Sequence, residues 1–223
     1  MTIPVERCQL AADLTITRVI SGLWQIADME RDGRELDLDA TAAAMQPYVD
    51  AGFTTFDMAD HYGSAELIAG RYRVAHPDVA TQLFTKWVPK PGPIAKETVR
   101  AAVERAADRL QGRPIDLMQF HAWTFADAHW LDALGYLDEL KSEGLIRQIG
   151  VTNFDAAHLR IAVASGIPIV TNQVSFSLLD QRAAGRMSAV CAEYGVKLLA
   201  YGTVAGGLLS ARWQARPAPP KDD

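Results

Sequence analysis

The chain has 223 residues, 49% of them apolar and 22% charged, which fits one globular domain, or most of one, and excludes a disordered or fibrous chain. A formal charge of −5, with Arg71, Arg73, Arg100, Arg105 and Arg109 scattered over helical stretches, offers no clustered cationic surface for nucleic acid. Two distant cysteines, Cys8 and Cys191, and an N-terminus without an apolar leader argue against a disulfide framework, a zinc site, export or a membrane span, so a reducing cytoplasm is the expected setting.

Along the chain, short runs over residues 8–10 and 14–17, joined through Asp13, read as a hairpin closing the floor of whatever follows. β-Branched or aromatic runs then begin near residues 18, 53, 81, 116, 146, 168 and 197. They alternate with amphipathic stretches over 38–50, 65–74, 94–110, 128–142, 156–165 and 183–194, whose apolar residues recur three and four apart. Gly52, Gly112, Gly144, Gly166 and Gly195 stand where those helices should stop.

Single strands joined by helices, repeated this often, predict an α/β fold with one parallel sheet, a (β/α)8 TIM barrel. An open doubly wound sheet is the weaker choice, because Ser21, Gly22, Leu23, Trp24 and Gln25 after the first barrel strand form no GxGxxG turn. About seven βα units are countable, and the pattern stops after residue 201. The expectation is therefore a C-terminally truncated barrel over residues 1–211 and a disordered, Pro-rich tail over 212–223. An unclosed barrel would expose two sheet edges, which another subunit could cover.

Polar groups at the C-terminal ends of barrel strands converge where a small molecule can enter. Asp57 ends the run that begins near 53, Tyr62 follows at the next turn, Lys86 ends the run from 81, and His121 ends the run from 116. Trp24 and Trp87, at the ends of the first and third barrel strands, are candidate walls of a substrate pocket. Taken singly these residues have bland readings: Asp57 capping a turn, Lys86 a solvated strand end, Tyr62 a packed loop aromatic, His121 bonded to a backbone carbonyl. Asp60 and His61 read as local turn chemistry with His61 half exposed, and His76, His129 and His158 as solvated.

In this order and spacing, Asp57, Tyr62, Lys86 and His121 resemble the catalytic tetrad of the aldo-keto reductases. The resemblance extends to Ile149 through Phe154, Asn172 through Leu179 and Ala200 through Leu209, so it spans residues 18 to 210. It implies reduction of an aldehyde or ketone by a nicotinamide cofactor. Tyr62 would be the acid, assisted by the cation of Lys86, since a free phenol with a pKa of about 10 is too weak. Asp57 would fix Lys86, and His121 would orient the carbonyl.

The same likeness assigns cofactor contacts. Thr152, Asn153 and Gln173 would hold the carboxamide, Phe176 would stack on the nicotinamide, and Trp24, Asp57 and Tyr201 would lie beside it. The backbone of Gly202, Thr203, Val204, Ala205 and Gly206, with the Thr203 hydroxyl, would wrap the pyrophosphate. Trp24, Trp87 and His121 would face the small carbonyl substrate. NADPH over NADH follows from the family alone, because the cations that grip its 2′-phosphate there lie beyond the last residue of this chain. The competing readings are a non-catalytic or inactive barrel that keeps a cofactor-like pocket, and a metal-dependent hydrolase, which the lack of an HxH pair after the first strand disfavours. No metal, nucleic acid or membrane partner is expected.

Overall fold

The computed structural model describes residues 4–28 and 36–213. Its first elements are β1 (Arg7–Ala11) and β2 (Leu14–Thr17), an antiparallel hairpin with a bulge between Gln9 and Ala11. Leu10, Leu14 and Ile16 are buried on one face of it, against Phe84, Leu117 and Leu199. The hairpin is also tied to the barrel floor by polar contacts: Gln148 Nε2 donates to Asp13 Oδ1 at 2.5 Å, and the Thr17 N–H to Thr55 Oγ1 at 2.9 Å. The expected floor is present.

Seven parallel strands follow in chain order: β3 (Ser21–Gly22), β4 (Thr55–Asp57), β5 (Gln82–Trp87), β6 (Ile115–His121), β7 (Ile146–Thr152), β8 (Ile169–Ser175) and β9 (Lys197–Tyr201). Each pairs only with its sequence neighbours, which is the topology of a (β/α)8 barrel wall. Among the described residues β3 pairs only with β4, and β9 only with β8, so both ladders end unpaired.

The helices are α1 (Leu38–Ala43), α2 (Gln46–Asp50), α3 (Ala65–Ala75), α4 (Lys96–Arg109), α5 (His129–Ser142), α6 (Ala156–Ala164) and α7 (Arg186–Tyr194). The stretch 38–50, expected as one helix, is two. Pro47 has no N–H and sits in the first turn of α2, where that donor would be unpaired anyway, so it starts a new helix rather than continuing α1. Asp37 and Asp155 cap α1 and α6 through carboxylates that accept from the first-turn N–H groups.

Gly52, Gly144, Gly166 and Gly195 do take left-handed backbone after helices, but after α4 that role falls to Gln111, with φ 54°. Gly112 serves close approach instead, since a Cβ there would lie 2.4 Å from Arg73 Nη1. Of the segment 212–223, Arg212 and Trp213 belong to a 3-10 turn (Ala211–Trp213), and residues 214–223 lie outside the described residues.

Strand periodicity sorts the side chains. Phe56, Leu83, Met118, Phe120, Ile149 and Val151 face the helices and join the main core. Phe84, Leu117 and Leu199 face inward and rest on the hairpin. Above that apolar floor the inward positions turn polar, with Asp57, Lys86, Gln119 and Gln173 bonded to one another. That polar rung is where the site lies.

Candidate active site

Three strand ends and one loop bring Asp57, Tyr62, Lys86 and His121 together. Lys86 is almost fully buried, 1% exposed, yet its ammonium donates to Asp57 Oδ2 at 2.5 Å and to the Met58 carbonyl at 2.8 Å. A buried ammonium persists only when paired and hydrogen-bonded in this way. Its Nζ also lies 5.0 Å from the centroid of the Tyr62 ring, within reach of a cation–π contact.

Tyr62 is partly exposed in the loop after β4. The edge of His61 meets its ring at 4.7 Å, and Trp24 lies 6.3 Å away. His121, half-buried at the end of β6, stacks on Trp123 at 5.7 Å and 14°. Its Nδ1 is buried with no partner among the described residues, which leaves Nε2 as the nitrogen that can meet a ligand. Burial first, then the neighbouring His61 and Lys86, depresses the His121 imidazole to about 4, so the ring is neutral in ordinary buffers.

The loop carrying Tyr62 is braced from below by a buried network absent from the sequence reading. Thr85 Oγ1 donates to Glu66 Oε1 at 2.6 Å, and Arg109 Nη1 donates to Glu66 Oε2 at 3.2 Å and to the Asp60 carbonyl at 3.4 Å. Burial is the largest influence on Glu66 and raises its carboxyl, with Thr85 and Arg109 opposing. Asp60 accepts from the Val88 N–H at 3.3 Å and pairs with His61 at 3.1 Å.

Gln119 is a second omission: its Nε2 donates to Asp57 Oδ1 at 2.8 Å. The period of two that carries His121 inward carries Gln119 inward too, so the signal was available.

Two further expectations change. Trp87 is 4% exposed and packs edge-on to Phe120 at 5.7 Å in the sheet–helix core. Because Lys86 points inward its neighbour must point outward, so Trp87 is no substrate wall. His158 is not simply solvated. It stacks on Phe125 at 3.9 Å and bonds Asp155 at 2.8 Å, fastening the loop after β6 to α6.

The residues expected to hold a cofactor line one side of the mouth. Thr152 is buried with Oγ1 unpartnered among the described residues, and Asn153 is left-handed at φ 59°, its Oδ1 accepting from the Tyr201 hydroxyl at 3.0 Å. Gln173 was expected on a carboxamide, but one N–H of its Nε2 is given to Asp57 Oδ1 at 3.1 Å, which leaves the second N–H and Oε1 for a ligand. Tyr201 exposes a ring face at the mouth, whereas Phe176 is partly buried against the main core.

In the following loop Gly202, Ala205, Gly206 and Gly207 all have positive φ, a backbone that curls its N–H groups towards one side. The Ala205 N–H is used within the loop, on the Gly202 carbonyl at 2.8 Å, so it is removed from the expected phosphate wrap. The orphan Thr152 hydroxyl, the exposed Tyr201 ring and the curled loop fit an extended nicotinamide dinucleotide.

Comparison with known proteins bears on the family and the fold. Residues 18–223 match the model of the aldo/keto reductase family. Flagellar radial spoke protein 5 of Chlamydomonas reinhardtii is 34% identical over 160 residues, which cover 60% of this chain and 30% of that protein. The NADH-specific methylglyoxal reductase of Escherichia coli is 27% identical over 220 residues, 89% of this chain and 67% of that one. The chain thus spans under a third of the first relative and about two thirds of the second. A crystal structure of a thermostable aldo-keto reductase in complex with the inhibitor epalrestat superposes with a TM-score of 0.79 at 25% identity, covering 94% of this chain and 77% of that one. Among the described residues no helix is long and apolar enough to cross a membrane.

Proposed function

The chain belongs to the aldo/keto reductase family, and from that premise we propose that it reduces an aldehyde or ketone to the alcohol with a nicotinamide cofactor, through Tyr62, Lys86, Asp57 and His121. The observation that supports this most is the Asp57–Lys86 pair set beneath Tyr62, with Nζ 2.5 Å from the carboxylate and 5.0 Å from the ring centroid.

The cofactor, when bound, supplies the hydride. Thr152, Asn153 and Gln173 would hold its carboxamide, Tyr201 and Phe176 would flank the ring, and the backbone of Gly202, Thr203, Val204 and Gly206 would receive its phosphates. The Tyr62 hydroxyl gives its proton to the carbonyl oxygen. The ammonium beside it stabilises the charge left on the phenol oxygen, an interaction strong in a site with little water. Asp57 keeps that ammonium in place together with the Met58 carbonyl, to which Lys86 Nζ also donates.

Neutral His121 donates one ring N–H to the carbonyl oxygen and aligns it for Tyr62. The exposed Trp24 and Trp123 stand over Tyr62 and His121 and form the entrance for the carbonyl compound.

NADPH is the proposed cofactor on family grounds; the methylglyoxal reductase is by name NADH-specific, so both must be titrated. In the test, cofactor fluorescence is followed with NADPH and NADH, then reduced-nicotinamide absorbance with a reactive aldehyde, for wild type and Tyr62→Phe. The variant should bind cofactor as wild type does and lose turnover by an order of 10² or more. Equal turnover in the variant refutes Tyr62 as the acid, and no cofactor binding by the wild type refutes the reductase reading.

A further inference from the structure

One carboxylate inside the barrel takes three side-chain donors. Asp57 Oδ1 accepts from Gln119 Nε2 at 2.8 Å and from Gln173 Nε2 at 3.1 Å, while Oδ2 accepts from Lys86. Gln119 itself is wholly buried, and its Oε1 has no partner among the described residues. An ionised carboxylate only accepts, so Gln119 must turn its nitrogen to Asp57, which leaves its oxygen stranded. Buried unpaired acceptors are uncommon because they destabilise the fold, and an apolar residue would fill this position without that penalty.

The surroundings are shaped around the same side chain. Gln119 pairs in register with Gly150, and Gly150 with Thr171. A Cβ on Gly150 would lie 2.2 Å from Thr171 Oγ1 and 3.2 Å from Gln119 Cγ. The missing side chain on β7 therefore makes the room that Gln119 and Thr171 occupy. The ionisable groups around this amide are Asp57 from β4, Lys86 from β5, His121 from β6 and Tyr62 from the loop after β4; β7 and β8 contribute the uncharged Thr152, Thr171 and Gln173.

We propose that Gln119 is a positioning residue: its amide holds the Asp57 carboxylate turned towards Lys86, and through that pair keeps the ammonium beside Tyr62. Wholly buried behind Asp57, Gln119 is out of reach of a ligand entering the mouth. The inference rests on the roles given above to Asp57, Lys86 and Tyr62, and extends them to a residue on a different strand.

The test compares wild type, Gln119→Glu and Gln119→Leu in kcat, KM and cofactor binding between about pH 5 and pH 8. The isosteric Gln119→Glu change sets a second carboxylate against Asp57 Oδ1. Two carboxylates in one site repel until they share a proton, which they do only as pH falls. Its kcat should therefore be lowest at high pH, down by an order of 10²-fold, and recover on acidification, while KM and cofactor affinity stay at wild-type values. A wild-type pH profile in that variant overturns the proposal, as does a loss of cofactor binding in the folded protein.

The crystal structure of Gln119→Leu reads the same question without turnover. Asp57 is expected to swing off Lys86, and a retained contact overturns the proposal. If the wild-type chain reduced no carbonyl, the reductase reading would fail while this structural arm still gave its answer.

Discussion

Acidification should act on this protein through His121. Unfolded, its imidazole takes up a proton through about pH 6.5; folded, it stays neutral until about pH 4, because burial and then His61 and Lys86 oppose the charge. Between those values the unfolded chain binds the extra proton, so stability falls as pH falls. The contribution is complete above about 6.5 and is lost as pH drops through the folded value. Full burial would make the loss about 3 kcal/mol, and the half-open position of the ring reduces it to roughly 1–2 kcal/mol.

Urea unfolding at pH 7.5 and pH 5, in wild type and His121→Gln, isolates the effect, since the variant should lack that part of the acid sensitivity. NMR titration of the five histidines gives an independent reading: His121 should titrate lowest, whereas His129, raised mainly by its bond to Asp127, should titrate above its ordinary value. A His121 midpoint at or above 6.5, or equal acid sensitivity in the variant, would refute the reasoning.

Other expectations concern the scaffold. Trp87→Ala should cost about 3–5 kcal/mol in chemical unfolding, as for a large aromatic removed from a core, and Trp87→Phe should leave KM for aldehydes unchanged; a shifted KM would restore Trp87 to the substrate pocket. Gly70→Ala should cost about 1–3 kcal/mol, because its Cβ would lie 2.1 Å from the Arg109 carbonyl oxygen, where α3 meets α4 backbone to backbone. A thermal melt unchanged by that substitution would mean the two helices part easily. Asp57→Ala should cost about 3–5 kcal/mol by stranding a buried ammonium, and adding Lys86→Met should recover much of it. Strictly additive losses in that double-mutant cycle would show that the pair does not act as a unit.

Much of the fold was legible in local pattern. The alternation of strand-like and helical periods located the seven parallel strands among the described residues, and the hairpin turn at Asp13 was readable because alternate residues of its arms are apolar. The apolar period over 38–50 ran across the break between α1 and α2, whose signal was Pro47, a residue with no N–H to give. The boundary after α4 was less legible, since glycine at 112 suggests a left-handed stop while the backbone assigns it to Gln111.

The residue types of the tetrad, Asp57, Tyr62, Lys86 and His121, and their places at strand ends were fixed by the amino-acid order, because strand period and strand end are local properties. Which partner each side chain meets was decided only by the curled sheet. Gln119 and Gln173 converge on Asp57 from strands 62 and 116 residues away in the chain, Arg109 reaches the Tyr62 loop from α4, and Trp87 is turned out of the pocket by the inward turn of Lys86. Such contacts depend on register and closure across several strands, and these arise from packing over the whole sheet rather than from any stretch of neighbouring residues.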